Sequence, residues 1–273
     1  MAGNYFRALV KNQKVLKYIK NMSVDLIKAN INLHAILKNL EDLVEYDGEV
    51  KELIKGKKIS IQFSVKGGPK AGVIFENDAC RVEKGKIKSP SVVLWFSSPA
   101  HLNKMFDGKA NPIPLKGFTK LGFLQKEFTA ITKKLEYYLK PDEVKDPDEA
   151  YIEMNTRLTL TVAAFSLPAI AEYDEKAKIT ASHIPDGVIQ MEVVDGPAVH
   201  IVAKGGKLEA FKGKAEKPDA IMRMRDYASA NDFLNGKSNP FKAIASGEVM
   251  IWGIIPMLDN LSLILDKVQE YAE

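Results

Sequence analysis

The feature that most constrains this chain is that it repeats itself. Gly236-Lys237-Ser238-Asn239-Pro240 restates Gly108-Lys109-Ala110-Asn111-Pro112 at an offset of 128, which is 236 minus 108. At the same offset Lys84-Gly85-Lys86 matches Lys212-Gly213-Lys214, Gly68-Pro69 matches Gly196-Pro197, and Ile61-Gln62 matches Ile189-Gln190. Upstream, Glu45-Tyr46-Asp47 matches Glu172-Tyr173-Asp174 at an offset of 127. One Gly-Lys-x-Asn-Pro is only a turn signal, since Gly and Pro punctuate loops. Several matches at nearly constant spacing mark a tandem duplication, which must be settled before any local reading. A chain of 273 residues has room for two units of this size. The expected division is an N-terminal amphipathic helix over 1–23, a first unit over 24–140 and a second over 147–273, with Lys140 to Lys145 as linker.

Within the repeat, the stretch from Ala215 to Gly253 is the more legible copy. Ala220 to Arg225 alternates, Met222 and Met224 on one face and Arg223 and Arg225 on the other, the period of a strand with one buried face. Asp226 stands where a helix N-cap belongs and Asn235-Gly236 where that helix ends. Pro240 opens a second short helix, Gly247 closes it, and Glu248 to Trp252 reads as a strand. In the first copy Ser98 replaces Asp226 as cap, and Pro114 interrupts the short helix. The fifth strand of that copy is then expected over Phe118 to Phe123, followed by a helix over Leu124 to Leu139. Meander strands are expected near 59–65, 71–76 and 79–83, and again near 187–194, 197–203 and 207–212. Long helices are expected over Val24 to Tyr46 and 147–172, and an apolar one over Pro256 to Tyr271. The fold class is α/β in the α+β sense.

The chemistry that is missing narrows the function. The four histidines, His34, His101, His183 and His200, sit singly, with no second ligand at metal spacing. There is no Gly-x-Ser-x-Gly elbow and no dinucleotide fingerprint. Gly67-Gly68 lacks the lysine-serine ending of a phosphate loop and reads as a hairpin turn. The net charge of +4 is mild and its basic residues are not interleaved with aromatics, so nucleic acid is not an expected partner. Neither a cofactor nor a catalytic constellation is expected, and the reading is of a protein that is not an enzyme.

A single cysteine, Cys80, allows no internal disulfide, which fits a reducing compartment and a cytoplasmic location. The longest uncharged run, Leu158 to Ala171, is fourteen residues and too short to cross a bilayer, which takes roughly 20. Residues 4–20 form a basic amphipathic pattern. Its simplest reading packs the apolar side on its own domain, and its functional reading is transient contact with a membrane surface. Late in the second copy there is a concentration of soft apolar side chains: Ala220, Met222, Met224, Phe233, Phe241, Trp252, Met257, Leu261 and Leu265. Ordinary core explains them, and so does a pocket, because methionine adapts to irregular ligands.

The run KPDAIMRMRDYASANDFLNGKSNPFKAIASGEVMIWG is similar to the sterol carrier protein type 2 domain. Gly236, Lys237, Asn239, Pro240, Gly247, Ile251 and Gly253 occupy that family's Gly-Lys-x-Asn-Pro and G-x-x-x-I-x-G positions. The resemblance covers most of 175–271 and, through the repeat, 57–139 more weakly. It implies in each unit a mostly antiparallel five-stranded sheet covered by helices. It also implies an apolar tunnel between sheet and helices, taking a lipid, sterol or other apolar small molecule without covalent chemistry. The nine residues named above would line it. The first unit departs from the pattern, with Trp95 and Phe96 where the second has Arg223 and Met224, so ligand binding is expected mainly in the second. The alternative is a structural or accessory subunit that presents a lipid intermediate to a partner enzyme, its tunnels filled by side chains.

Overall fold

In the computed structural model, residues 22–140 and 143–272 are described. The expected helix over 1–23 and its membrane contact through residues 4–20 therefore lie almost wholly outside the described residues.

Two five-stranded sheets are built the same way. The first has the order β3-β2-β1-β4-β5, from Ile59–Val65 (β1), Lys70–Glu76 (β2), Ala79–Lys84 (β3), Val92–Phe96 (β4) and Ile113–Lys116 (β5). The second has the order β8-β7-β6-β9-β10, from Gly187–Val193 (β6), Ala198–Lys204 (β7), Lys207–Lys212 (β8), Ala220–Met224 (β9) and Val249–Gly253 (β10). In each, the central pair is parallel, β1 with β4 and β6 with β9, and the other neighbours are antiparallel. The sheets are thus mixed but mostly antiparallel. Even the register repeats: Phe63 faces Leu94, and Met191 faces Met222, 128 positions on in both strands.

The helices follow the same plan. A long helix α1 (22–46) precedes the first sheet, with a π-helical turn at Asn32–Ile36 and a 3-10 turn at Leu37–Asn39. Its counterpart is α5 (Glu149–Tyr173). Each is followed at once by a short helix, α2 (Gly48–Ile54) and α6 (Glu175–Ser182). Neither short helix is apparent from the sequence, because the aspartate between the helices plays two parts. Asp47 ends α1 and caps α2 through the Val50 N–H at 3.0 Å; Asp174 ends α5 and caps α6 through the Ala177 N–H at 2.8 Å. Helices α3 (Pro99–Phe106) and α7 (Tyr227–Leu234) are capped by Ser98 and Asp226, as expected. The units close with α4 (118–139), which contains a π-helical turn at Leu124–Phe128, and α9 (Ile255–Ala272).

One expectation is corrected. The fifth strand of the first unit is β5 (Ile113–Lys116), and Phe118 to Phe123 is the helical start of α4. The second unit inserts α8 (Pro240–Ala245) between the Gly-Lys-x-Asn-Pro turn and its edge strand. In the first unit that helix is gone, and Ile113-Pro114 is held extended beside Trp95 and Leu94. The register is fixed by two equivalent glycines. Gly117 and Gly253 follow or end the fifth strand with φ of 91° and 87°, and a Cβ on either would run into the carbonyl oxygen of Ser91 or Asp219, themselves 128 positions apart.

The two cores are reciprocal. Ile27, Ile31 and Ala35 of α1 are buried in the core of the second sheet, while Met154 and Leu158 of α5 are buried in the core of the first. Ile27 and Met154, and Ile31 and Leu158, are equivalent positions at the 127 offset. Each long helix therefore gives one stripe of its earlier turns to the other unit and the rest of its buried residues to its own, Ala29 and Leu33 of α1 among them. A polar cluster holds the crossing: Lys212 pairs with Asp42 at 2.8 Å and Glu41 at 3.2 Å, Lys38 pairs with Glu41 at 2.7 Å, and the Thr161 hydroxyl donates to Asp42 at 3.4 Å. The Arg157 guanidinium lies 3.8 Å over the Tyr46 ring.

Candidate functional site

The expected site residues fall into two groups. Ala220, Met222 and Met224 alternate along β9 and face the helices. Met257 and Leu261 reach the same layer from α9, with Leu265 and Phe233 packed at its margin. These seven belong to one apolar cluster. Ala220, Met224, Met257 and Leu261 have no accessible surface, so their side chains are close-packed against one another and their neighbours. Phe241 and Trp252 do not join them. Phe241 is 84% exposed on α8, and Trp252 is 41% exposed on the opposite face of the sheet, because β10 pairs Trp252 with Ile221 and not with the methionines.

The contents of the two cores differ at matched positions. The first unit fills its sheet-to-helix layer with rings: Phe63 stacks on Phe96 at 6.4 Å between centroids, and Phe75 meets Phe123 and Phe128 at 5.7 and 6.3 Å. In the second unit the counterparts of Phe63, Phe75 and Phe96 are Met191, Ala203 and Met224, all buried. Rigid aromatic packing is thus replaced by flexible thioethers and a methyl group.

A feature the sequence reading missed ties the last helix of each unit down. The Asp174 carboxylate that caps α6 also accepts from the Tyr271 hydroxyl at 2.7 Å and pairs with Lys267 at 3.3 Å. Asp47 does the same with Tyr138 at 3.1 Å and Lys134 at 3.5 Å. Lys134 and Tyr138, like Lys267 and Tyr271, are four residues apart on one helix face. The Lys-x-x-x-Tyr pair and the repeated Glu-Tyr-Asp were the available signals. Burial works against the Asp174 charge, but the Ala177 N–H, Tyr271 and Lys267 together hold its carboxyl below the usual range. Burial, reinforced by the bond to Asp174, pushes the Tyr271 hydroxyl up.

The outer face of the second sheet carries one buried charge. Glu192, 1% exposed, accepts from the Arg223 guanidinium, from Lys214 at 3.1 Å and from the Gln190 amide at 2.8 Å. Burial opposes its charge, yet Arg223 and Lys214 keep the carboxyl below its ordinary value. Arg223 in turn lies 4.8 Å over the Trp252 ring. Every group here is satisfied by a neighbour, the mark of a structural ion pair.

Among the described residues no group of three or more His, Cys, Asp or Glu is placed to hold a metal ion, and no helix is long and apolar enough to cross a membrane. Burial pushes the Cys80 thiol well up, away from thiolate. His34, His101 and His200 each have a ring nitrogen on a backbone carbonyl, at 3.1 Å to Lys70, 2.9 Å to Asn111 and 2.9 Å to Gly213.

Residues 167–266 match the family model of the SCP-2 sterol transfer family. The second unit is an SCP2-like domain. Solved structures similar to the chain include the sterol carrier protein domain 2 of Helicoverpa armigera, at 23% identity over 41% of this chain and 89% of that one, with a TM-score of 0.33. Sterol carrier protein 2 of Yarrowia lipolytica, in its apo form, is 15% identical over 38% and 90%, with a TM-score of 0.30. A structure described as UbiJ-SCP2, a ubiquinone synthesis protein, is 17% identical over 37% and 88%, with a TM-score of 0.31. A search of curated proteins gives no match. The SCP2-like match opens inside α5, at Leu167, and runs through most of α9. It therefore spans the whole second sheet and the methionine layer.

Proposed function

We propose that this chain binds or transfers a lipid or similarly apolar small molecule, without catalysis, in the layer between the second sheet and α9. The carrying observation is the exchange of core contents between two sheets of one topology. The first unit is filled by Phe63, Phe75 and Phe96, whereas the SCP2-like unit has Met191, Ala203 and Met224 at the same places. Methionine side chains can rearrange around a guest at little cost, which packed rings cannot. Because Met224, Met257 and Leu261 are close-packed in this structure, the ligand would enter by separating α9 from the sheet. Ala220, Met222, Phe233 and Leu265 would complete the lining, while Phe241 and Trp252 would stay outside it.

That same close packing is the one observation favouring the second reading, an accessory subunit whose core is permanently filled and which presents a lipid intermediate to a partner enzyme. Uptake of a fluorescent fatty acid by wild type, with Met224→Trp as the blocked control, distinguishes the two. As a carrier, wild type takes up a fluorescent fatty acid and Met224→Trp does not, while overpacking costs about 1–3 kcal/mol. Wild-type protein that never takes up the probe, and that yields no apolar molecule on organic extraction, would overturn the carrier reading.

A further inference from the structure

We propose that the segment following the Gly-Lys-x-Asn-Pro turn in each unit is an element that docks on an anionic lipid bilayer. In the second unit this segment is α8. Ala243 seats it on the protein, and its outer side presents Phe241, 84% exposed, with Ile244 and Lys242. Lys237 is exposed in the turn before it, and neither lysine forms an ion pair among the described residues. From position 235 to 247 there is no aspartate or glutamate. In a soluble core such a phenylalanine would be inside, since its ring and the Ile244 side chain are the two large apolar groups of this helix and both gain by leaving water.

The first unit reaches the same surface chemistry by a different backbone. It has no α8, yet its residues after the turn again expose large apolar groups, Leu115 at 57% and Phe118 at 63%, beside Lys116 and Lys120. From 108 to 120 there is likewise no acidic residue, and Lys116 and Lys120 form no ion pair among the described residues. Strand and helix differ while exposed rings, unpaired lysines and the lack of carboxylates persist, so the shared property is the surface and not the fold beneath it. An aromatic tip flanked by free lysines suits the interface of an anionic leaflet, where the ring enters the headgroup region and the ammonium groups meet lipid phosphates. This inference rests on the carrier reading for its purpose, since a carrier must meet the membranes it serves, but not for its evidence.

The experiment is co-sedimentation of the full chain with vesicles of phosphatidylcholine alone and of phosphatidylcholine mixed with phosphatidylserine. Wild type partitions onto the mixed vesicles, and salt weakens it. Phe241→Ser lowers that partitioning about tenfold, and Lys237→Ala with Lys242→Ala lowers it by roughly as much on mixed vesicles only. Leu115→Ser with Phe118→Ser does likewise for the first unit. Unchanged thermal unfolding of Phe241→Ser shows that the fold is intact, as its exposure demands. Wild type that does not sediment, or variants that sediment like wild type, would overturn the proposal. So would a Phe241→Ser variant altered only in size-exclusion behaviour, which would identify the occupant as a second copy of the chain. Fatty-acid uptake is read in the same samples. Vesicle binding through Phe241 without uptake would overturn the carrier reading and leave the docking surface standing.

Discussion

Replacing Tyr271 with phenylalanine should loosen α9 by an amount the geometry sets. The Tyr271 hydroxyl donates to the Asp174 carboxylate at 2.7 Å, and that carboxylate retains the Ala177 N–H at 2.8 Å and Lys267 at 3.3 Å when it is lost. A hydrogen bond to a charged acceptor is worth about 1.5–3 kcal/mol. Asp174 is left with two donors and some contact with water, so the lower end applies, about 1.5 kcal/mol. In a chain of this size that is a fall of roughly 3–6 °C in the unfolding midpoint. The pH dependence follows from the direction of the shift. Asp174 has its carboxyl held below the usual aspartate value of 3.8. Its stabilisation is therefore complete above that value and is lost as pH falls through the lower, folded-state value. The gap between wild type and Tyr271→Phe should be full at neutral pH and should shrink once the pH drops below about 4. Calorimetry of the two proteins across that range is the assay, with release of a bound fluorescent fatty acid, expected to be faster in the variant, as the functional reading. A gap of under about 0.3 kcal/mol at neutral pH, or one that does not change on acidification, would refute the reasoning.

Three further outcomes are expected. Both amide atoms of Asn39 are buried without a partner, so Asn39→Leu should raise stability by about 1–2 kcal/mol in chemical denaturation. Burial holds the His34 imidazole below its ordinary value of 6.5, so stability should rise with pH as it climbs through the folded-state value towards 6.5. His34→Gln should flatten that slope in denaturant titrations at several pH values. Gly253→Ala should cost more than about 1 kcal/mol, since it combines a φ of 87° with a clash against the Asp219 carbonyl, and a neutral result in the same titrations would remove the account of the strand register.

Much of the fold was written locally and could be read locally. The alternation of Ile59 to Val65 and of Ala220 to Met224, and the caps Ser98 and Asp226, specify strands and helix starts within a few residues. What escaped was set by distance. Asp47-Gly48 reads as a helix stop, and it is one, but the same aspartate also caps a second helix through the Val50 N–H and is held by Tyr138 and Lys134 from the far end of the unit. The fifth strand of the first unit was displaced because the missing helix is a length change, which a fixed-offset comparison hides. The methionine face of β9 was legible from its period. Phe241 was not, since an apolar residue on a short helix carries the same signal whether it faces core or solvent. Nor does an apolar stripe on α1 say which of two sheets it will meet.

That last point bears on what kind of object the molecule is. Ile27 and Ile31 enter the second core where Met154 and Leu158 enter the first, so the contact between halves is self-complementary, the kind two identical subunits make about a two-fold axis. Separate subunits joined this way would hold together only at sufficient concentration, and every change in one would appear in both. Joined in a single chain, the pair is complete at any dilution. The two copies are also free to diverge, one accumulating phenylalanine and rigidity while the other keeps methionine and the capacity to yield.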